Sequence, residues 1–139
     1  MIYQAITKSF LLELASTGLH SLTTDSLKIA LYGSGASLDE STTAYTTSGE
    51  VAGAGYSAGG VAVVATVTQE SDGQVLVDFA DAVFPSVTLT ARGAMIYNTS
   101  KSNKAIMVID FGLDISRSGS DFTVRFPNPD ADNAMVRIG

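Results

Sequence analysis

Along most of the chain, apolar residues alternate with polar or small ones in short runs, and this period of two predicts β-strands. In LKIALYG, Leu27, Ile29 and Leu31 fall on one side and Lys28, Ala30 and Tyr32 on the other. Val61, Val63, Ala65 and Val67 repeat the pattern over residues 61–68, and Val75, Val77 and Phe79 repeat it in QVLVDFA. Ser71, Asp72 and Gly73 between them spell a hairpin turn, since Asp-Gly suits the turn types that match strand twist. Pro85 confines the stretch 82–90 to a sheet edge or a bulge. Residues 91–98 then set Ala94 and Ile96 against Met95 and Tyr97. AIMVIDF, residues 105–111, is apolar on both faces, as a central strand is. After a turn over 117–120, Phe122, Val124 and Phe126 point inward, and Ala134, Val136 and Ile138 close the chain.

The beginning of the chain follows another period. Ile2, Ile6, Phe10 and Leu14 recur every four residues, which predicts an amphipathic helix over residues 2–16 that ends at Gly18. One helix followed by short strands at intervals of about ten residues predicts a mainly β protein. The expected architecture is an antiparallel β-sandwich, jelly-roll-like, with one N-terminal α-helix. It forms a single domain over residues 1–139, with a long Gly/Ser/Thr-rich arm at about 33–60. Within that arm, the run GEVAGAGYSAGGVAV from Gly49 is too rich in glycine for a helix and reads as a hinge entering a strand. Residues 33–48 are longer than most loops, which predicts disorder or a bound partner.

Composition narrows the function. Charged residues make up 16% of the 139, against about 25% in an ordinary globular chain. Ser, Thr, Gly and Ala take their place, as on a surface covered by neighbours. A net charge of −6 with scattered basic residues disfavours nucleic-acid binding. There is no cysteine, hence no disulfide, thiolate metal site or cysteine nucleophile. The longest uncharged run, residues 51–69, is too rich in small polar residues for a membrane span, and Lys8 and Glu13 give the N-terminus the wrong charge order for a secretory signal.

Reactive constellations are sparse. His20 is the only histidine, it has no G-x-S-x-G to serve, and it reads as a surface or cap-like residue at the helix end. Asp72, Asp78 and Asp81 lie close in sequence without a calcium-loop pattern, and Asp39, Glu40, Asp110 and Asp114 show no carboxylate pairing. Glycines 53, 55 and 59 precede a strand where a dinucleotide fingerprint requires a helix. Asp110-Phe111-Gly112 lacks the rest of a kinase, and Asn98-Thr99-Ser100 is a glycosylation sequon by letter only. No catalytic residue, metal ligand or cofactor is expected.

The order of motifs resembles a family of small virion proteins of tailed bacteriophages. Its carriers are the N-terminal helix, LKIALYGSGASLDESTTAY, GEVAGAGYSAGGVAV, VLVDFADAVFPSVTLTARGAMIYN, IDFG and GSDFTVRF, spanning residues 8–126. Phe84 and Pro85 stand where the family usually has Trp. The resemblance implies a non-enzymatic head-decoration or cement protein on the capsid exterior, made in the bacterial host cytoplasm. Its partners would be the major capsid protein and its own copies, as a homotrimer, with neither nucleic acid nor membrane. Expected contacts are Ile2, Ile6, Phe10 and Leu14 on the helix, and Tyr45, Gly53, Gly55, Tyr56 and Gly59 on the arm. Other readings are a tail, collar or head–tail junction protein, and a receptor- or carbohydrate-binding module that stacks sugars on Tyr32, Tyr45, Tyr56 and Tyr97.

Overall fold

Thr7 divides the N-terminal segment into a strand and a helix. Its backbone is extended and its Oγ1 accepts the Phe10 N–H at 3.2 Å, so it caps the helix that follows. Residues before it run extended as β1 (Ala5–Ile6), and α1 spans Lys8–Ser16. The helix predicted over 2–16 is therefore shorter, because a four-residue spacing of apolar side chains also fits a strand that steps into a helix. Its end is as expected, with Thr17 as C-cap and Gly18 in the left-handed region at φ 62°.

The computed structural model describes residues 1–69, 75–126 and 136–138. The further strands are β2 (Leu27–Tyr32), β3 (Val61–Val63), β4 (Ala65–Gln69), β5 (Val75–Phe79), β6 (Ala82–Asn98), β7 (Lys104–Val124) and β8 (Val136–Ile138). All pairings between them are antiparallel, in a five-stranded sheet of order β1-β7-β6-β2-β3 and a three-stranded sheet of order β4-β5-β8. The protein is mainly β with one α-helix. The turn expected at residues 71–73 lies outside the described residues, as does Ala134.

The strands differ from expectation in three ways. Residues 61–68 are not one strand, because the chain changes sheets at Val64, which is exposed between β3 and β4. Residues 82–98 are a single strand, with the irregularity displaced into its ladder at Pro85, where Ser86 has φ 51° and the register slips between Phe84 and Val87. That is the bulge Pro85 requires. Residues 117–120 do not reverse the chain; Gly119 at φ 61° is one more slip within β7.

The alternation in the central strands sorts the core into two faces. On one, Leu27, Ile29, Leu31, Ala94 and Ile96 pack with Phe10 of α1 and with Phe79, Phe84 and Phe122. On the other, Ala30, Tyr32, Met95, Tyr97 and Val108 are covered by Ile2, Ala36 and Leu38. A register slip opposite Ile96 and Tyr97 leaves Ile106 unpaired, and it joins its neighbour Met107 on the first face. Phe10 is fully buried, and full burial of such a ring is worth about 2–3 kcal/mol. The first part of β7, residues 105–109, is buried on both faces between β1 and β6, as its doubly apolar sequence predicts, whereas residues 112–121 run mostly exposed.

The arm expected to be disordered or partner-bound instead packs on its own sheet. The Met1 ammonium donates to Ala36 O at 2.6 Å, and Leu38 pairs with the Ile2 segment. Tyr45 N–H donates to Asn103 O and Ala105 N–H to Thr43 O, both at 2.9 Å. Farther on, Gly33 N–H reaches Gly49 O and Val51 N–H reaches Leu31 O, both at 3.0 Å, so the arm continues the sheet edge where β3 stops. Thr88 N–H donates to Ala54 O at 2.9 Å. Glycine is obligatory at two of these crossings. A Cβ on Gly60, which has φ 81°, would overlap the Ile29 carbonyl oxygen, and one on Gly53 would overlap that of Thr88.

Candidate functional site

Two clusters of polar side chains stand out. The first centres on Glu50, where the arm returns to β2. Its Oε1 accepts the Tyr45 hydroxyl at 2.6 Å, and its Oε2 accepts the Tyr56 hydroxyl at 2.5 Å and the Gly59 N–H at 2.8 Å. A carboxylate with three donors is a strong node, since bonds to a charged acceptor are roughly twice as strong as neutral ones. Tyr97 donates to Gly59 O and Tyr32 to Thr46 O, each at 2.6 Å, and the Tyr45 and Tyr97 rings stack 4.7 Å apart. Tyr56 also accepts the Leu31 N–H through its hydroxyl at 3.1 Å.

Burial raises the phenol pKa of all of these tyrosines, and the negative charge of Glu50 adds to it. They stay protonated and donate to the carboxylate and carbonyls, and Tyr56 accepts the Leu31 N–H as well. Of the four, Tyr32 and Tyr97 are buried, Tyr45 and Tyr56 are half-buried, and all of these hydroxyls bond within the chain.

The second cluster joins the end of α1 to the β6–β7 turn. His20, expected at the surface, is buried; its ring packs 4.9 Å from that of Phe10. Its Nε2 lies 2.8 Å from Glu13 Oε1, and its Nδ1 lies 3.0 Å from Asn98 Nδ2. Asn98 Nδ2 also donates to Asp25 Oδ2 at 2.8 Å, while Asn98 Oδ1 accepts the Ser100 N–H at 3.0 Å. Lys101 Nζ reaches Asp25 Oδ1 at 3.0 Å and Lys104 Nζ reaches Glu13 Oε2 at 3.2 Å. The Ser21 N–H is the main cause that holds the Asp25 carboxyl down to about 2, with Asn98 and Lys101 assisting. Burial pushes Glu13 up, but its bonds to His20 and Lys104 outweigh this and leave it below the usual carboxylate range. The cluster has a histidine between a glutamate and an asparagine, and its bonds from Glu13 to Lys104, Asn98 to His20 and Asp25, and Lys101 to Asp25 tie one element of the fold to another.

The remaining acidic residues are scattered. Glu40 pairs with Lys8 at 3.4 Å, Asp110 and Asp114 with Arg92 at 3.4 and 3.7 Å, and Asp39 caps its own turn by accepting the Ser41 N–H. Asp81 accepts the Phe126 N–H at 3.2 Å, Asp78 lies on β5, and Asp72 is outside the described residues. Among the described residues no group of three or more His, Cys, Asp or Glu is placed to hold a metal ion.

The expected contact residues do not share one surface. Ile2 and Phe10 are buried, on opposite faces of the large sheet, and Ile6 and Leu14 are half-buried against the core of the first face. Tyr45 and Tyr56 are half-buried at Glu50, and Gly59 is buried. Gly53 and Gly55 are exposed on one side and lie against the 86–89 stretch of β6 on the other. The apolar side chains that α1 and its approach present outward are Met1, Tyr3, Leu11 and Leu12. Sequence reading missed Glu50 and Asn98; the lone acid before a glycine run and the asparagine at a strand end were the only local signals. No described helix is long and apolar enough to cross a membrane. No family model, curated protein or solved structure matches the chain.

Proposed function

We propose that the chain is a non-enzymatic structural protein of a tailed-phage virion, which decorates and cements the outer capsid surface by bridging major capsid protein subunits. The observation that carries this reading is the commitment of its strongest polar groups. His20, Glu13 and Glu50, the groups best suited to proton transfer, are all engaged by the fold: His20 and Glu13 by partners from other elements, and Glu50 by Tyr45, Tyr56 and Gly59 of its own arm. What faces outward is low in charge, rich in hydroxyls, and carries the isolated apolar side chains Met1, Tyr3, Leu11 and Leu12. Such a surface gains affinity from many weak contacts repeated over a lattice. The net charge of −6 suits an outer position better than one facing packaged DNA. The motif order across residues 8–126 supports the phage assignment.

On the same reading the two sheets form a sandwich, supported by Ala65 and Phe79 of the smaller sheet sharing a core with Leu27 and Phe84 of the larger. The capsid contact lies at Tyr3, Leu11 and Leu12, in place of the buried Ile2 and Phe10. Purified chain should co-sediment with mature capsids lacking it, and the double variant Leu11→Asp/Leu12→Asp should bind at least about tenfold more weakly with its thermal midpoint unchanged. If the wild-type chain fails to co-sediment, the function is wrong. If only the variant is unaffected, the contact surface is wrong.

A further inference from the structure

Asn98 fixes the protonation state in which the second cluster can exist. Its Oδ1 accepts the Ser100 N–H and its Nδ2 donates to Asp25 Oδ2, so the amide has one orientation that satisfies both ends. A flip would place two oxygens 2.8 Å apart at Asp25 and two N–H donors against each other at Ser100. The Asn98 NH2 therefore faces His20 Nδ1 as a donor, and Nδ1 has to be the acceptor. The single ring proton then sits on Nε2 and is donated to Glu13.

The charges agree with a neutral ring. Facing it are Glu13 from α1, Asp25 from its own loop between α1 and β2 through Asn98, Lys101 from the turn after β6, and Lys104 from the start of β7. Two carboxylates and two ammonium groups balance; a second proton on His20 leaves the cluster with an excess positive charge. It also turns Nδ1 into a donor pointing at the donor NH2 of Asn98, 3.0 Å away. The bond to Glu13 survives the same change and becomes a charge-assisted bond.

We propose that His20 is a proton-driven clamp built into the fold: neutral, it links α1 to the end of β6 through Asn98; protonated, it keeps Glu13 and lets go of Asn98. The movement is confined to the segment between α1 and β2, since Asp25 remains bonded to Ser21 and Lys101. The clamp depends on opposite demands made on the two ring nitrogens by two different elements.

The test is a pH titration of the full-length 15N-labelled chain followed by NMR. At pH 7.5 the ring of His20 should show protonated Nε2 and unprotonated Nδ1. As the ring takes its second proton, the Asn98 side-chain amide protons should lose their hydrogen-bonded shift with the same midpoint as the ring itself. The variant His20→Gln offers one donor to Glu13 and one acceptor to Asn98 at every pH, so its Asn98 signals should be unchanged from pH 7.5 to 5. A ring protonated on Nδ1 at pH 7.5, or Asn98 signals that do not follow the His20 titration, would overturn the proposal. So would the same Asn98 titration persisting in His20→Gln. If that variant does not fold, the wild-type titration alone decides.

Discussion

The Glu50 cluster and the His20 cluster solve the same problem with different chemistry. Each fastens a long irregular segment to the large sheet, the arm 49–60 in one case and the 17–26 connection in the other. Around Glu50 a single carboxylate is surrounded by neutral donors, Tyr45, Tyr56 and the Gly59 amide. Around His20 the fastening alternates acids, ammonium groups and a ring that can change charge. The first arrangement keeps its donors across the physiological range, because burial and Glu50 hold the phenols protonated. The second is exposed to pH at its acidic end. A fold that needs one immovable strap and one adjustable joint can obtain both by choosing the donors.

The comparison can be broken most severely at the strap. Gly60→Val forces a side chain into the Ile29 carbonyl at a positive φ, and should cost about 4 kcal/mol in denaturant unfolding, at the severe end for one substitution. Wild-type stability in that variant would mean that the strap does not lie against β2. Next comes Glu50→Ala, which leaves two tyrosine hydroxyls and the Gly59 N–H without their acceptor. A loss of about 3 kcal/mol is expected, read as a lower unfolding midpoint at pH 7.

The two clusters should then separate by pH. Asp25 is held at about 2 against an ordinary value of about 4, so the unfolded chain binds its proton first on acidification. Its contribution, on the order of 1–2 kcal/mol, is fully present above pH 4 and is lost as pH falls toward 2. Asp25→Asn should flatten that part of a stability-versus-pH curve. The tyrosines run the other way. Their raised values mean a contribution intact below about 10, the ordinary phenol value, and lost only as pH climbs beyond it. An Asp25→Asn curve that falls as steeply between pH 4 and 2 as the wild type's, or an alkaline loss that sets in below about pH 10, would contradict the assignment. The smallest effect lies outside both clusters: Thr7→Ala removes the cap of α1 and should cost about 1 kcal/mol by thermal unfolding, setting the scale for the others.

Much of this fold is legible in the sequence where one rule acts alone. The alternation in residues 27–32 and 94–97 placed each side chain on its observed face, because one-residue slips would turn the whole set to the wrong side. Pro85 marked a bulge for a backbone reason that holds in any context. Legibility fails where two rules compete. Ile2 and Ile6 fit a helical period, yet Thr7 caps a helix that starts after them and the earlier residues pair with Leu38 and β7. It fails altogether where meaning comes from convergence. Glu50 gains its role from residues at 45, 56 and 59, and His20 from partners at 13 and 98, which no local pattern connects. The glycines of the arm were visible as small; that they are small to let two carbonyls pass required the sheet to be in place.

Whether these groups brace a lattice-binding protein is decided by counting copies. Quantitative mass spectrometry of purified virions, referenced to the major capsid protein, gives the number per particle. A capsid cement protein gives a ratio near one to one, or at least hundreds of copies. A handful of copies, or none, would contradict it and remove the capsid lattice as the place where the protein acts.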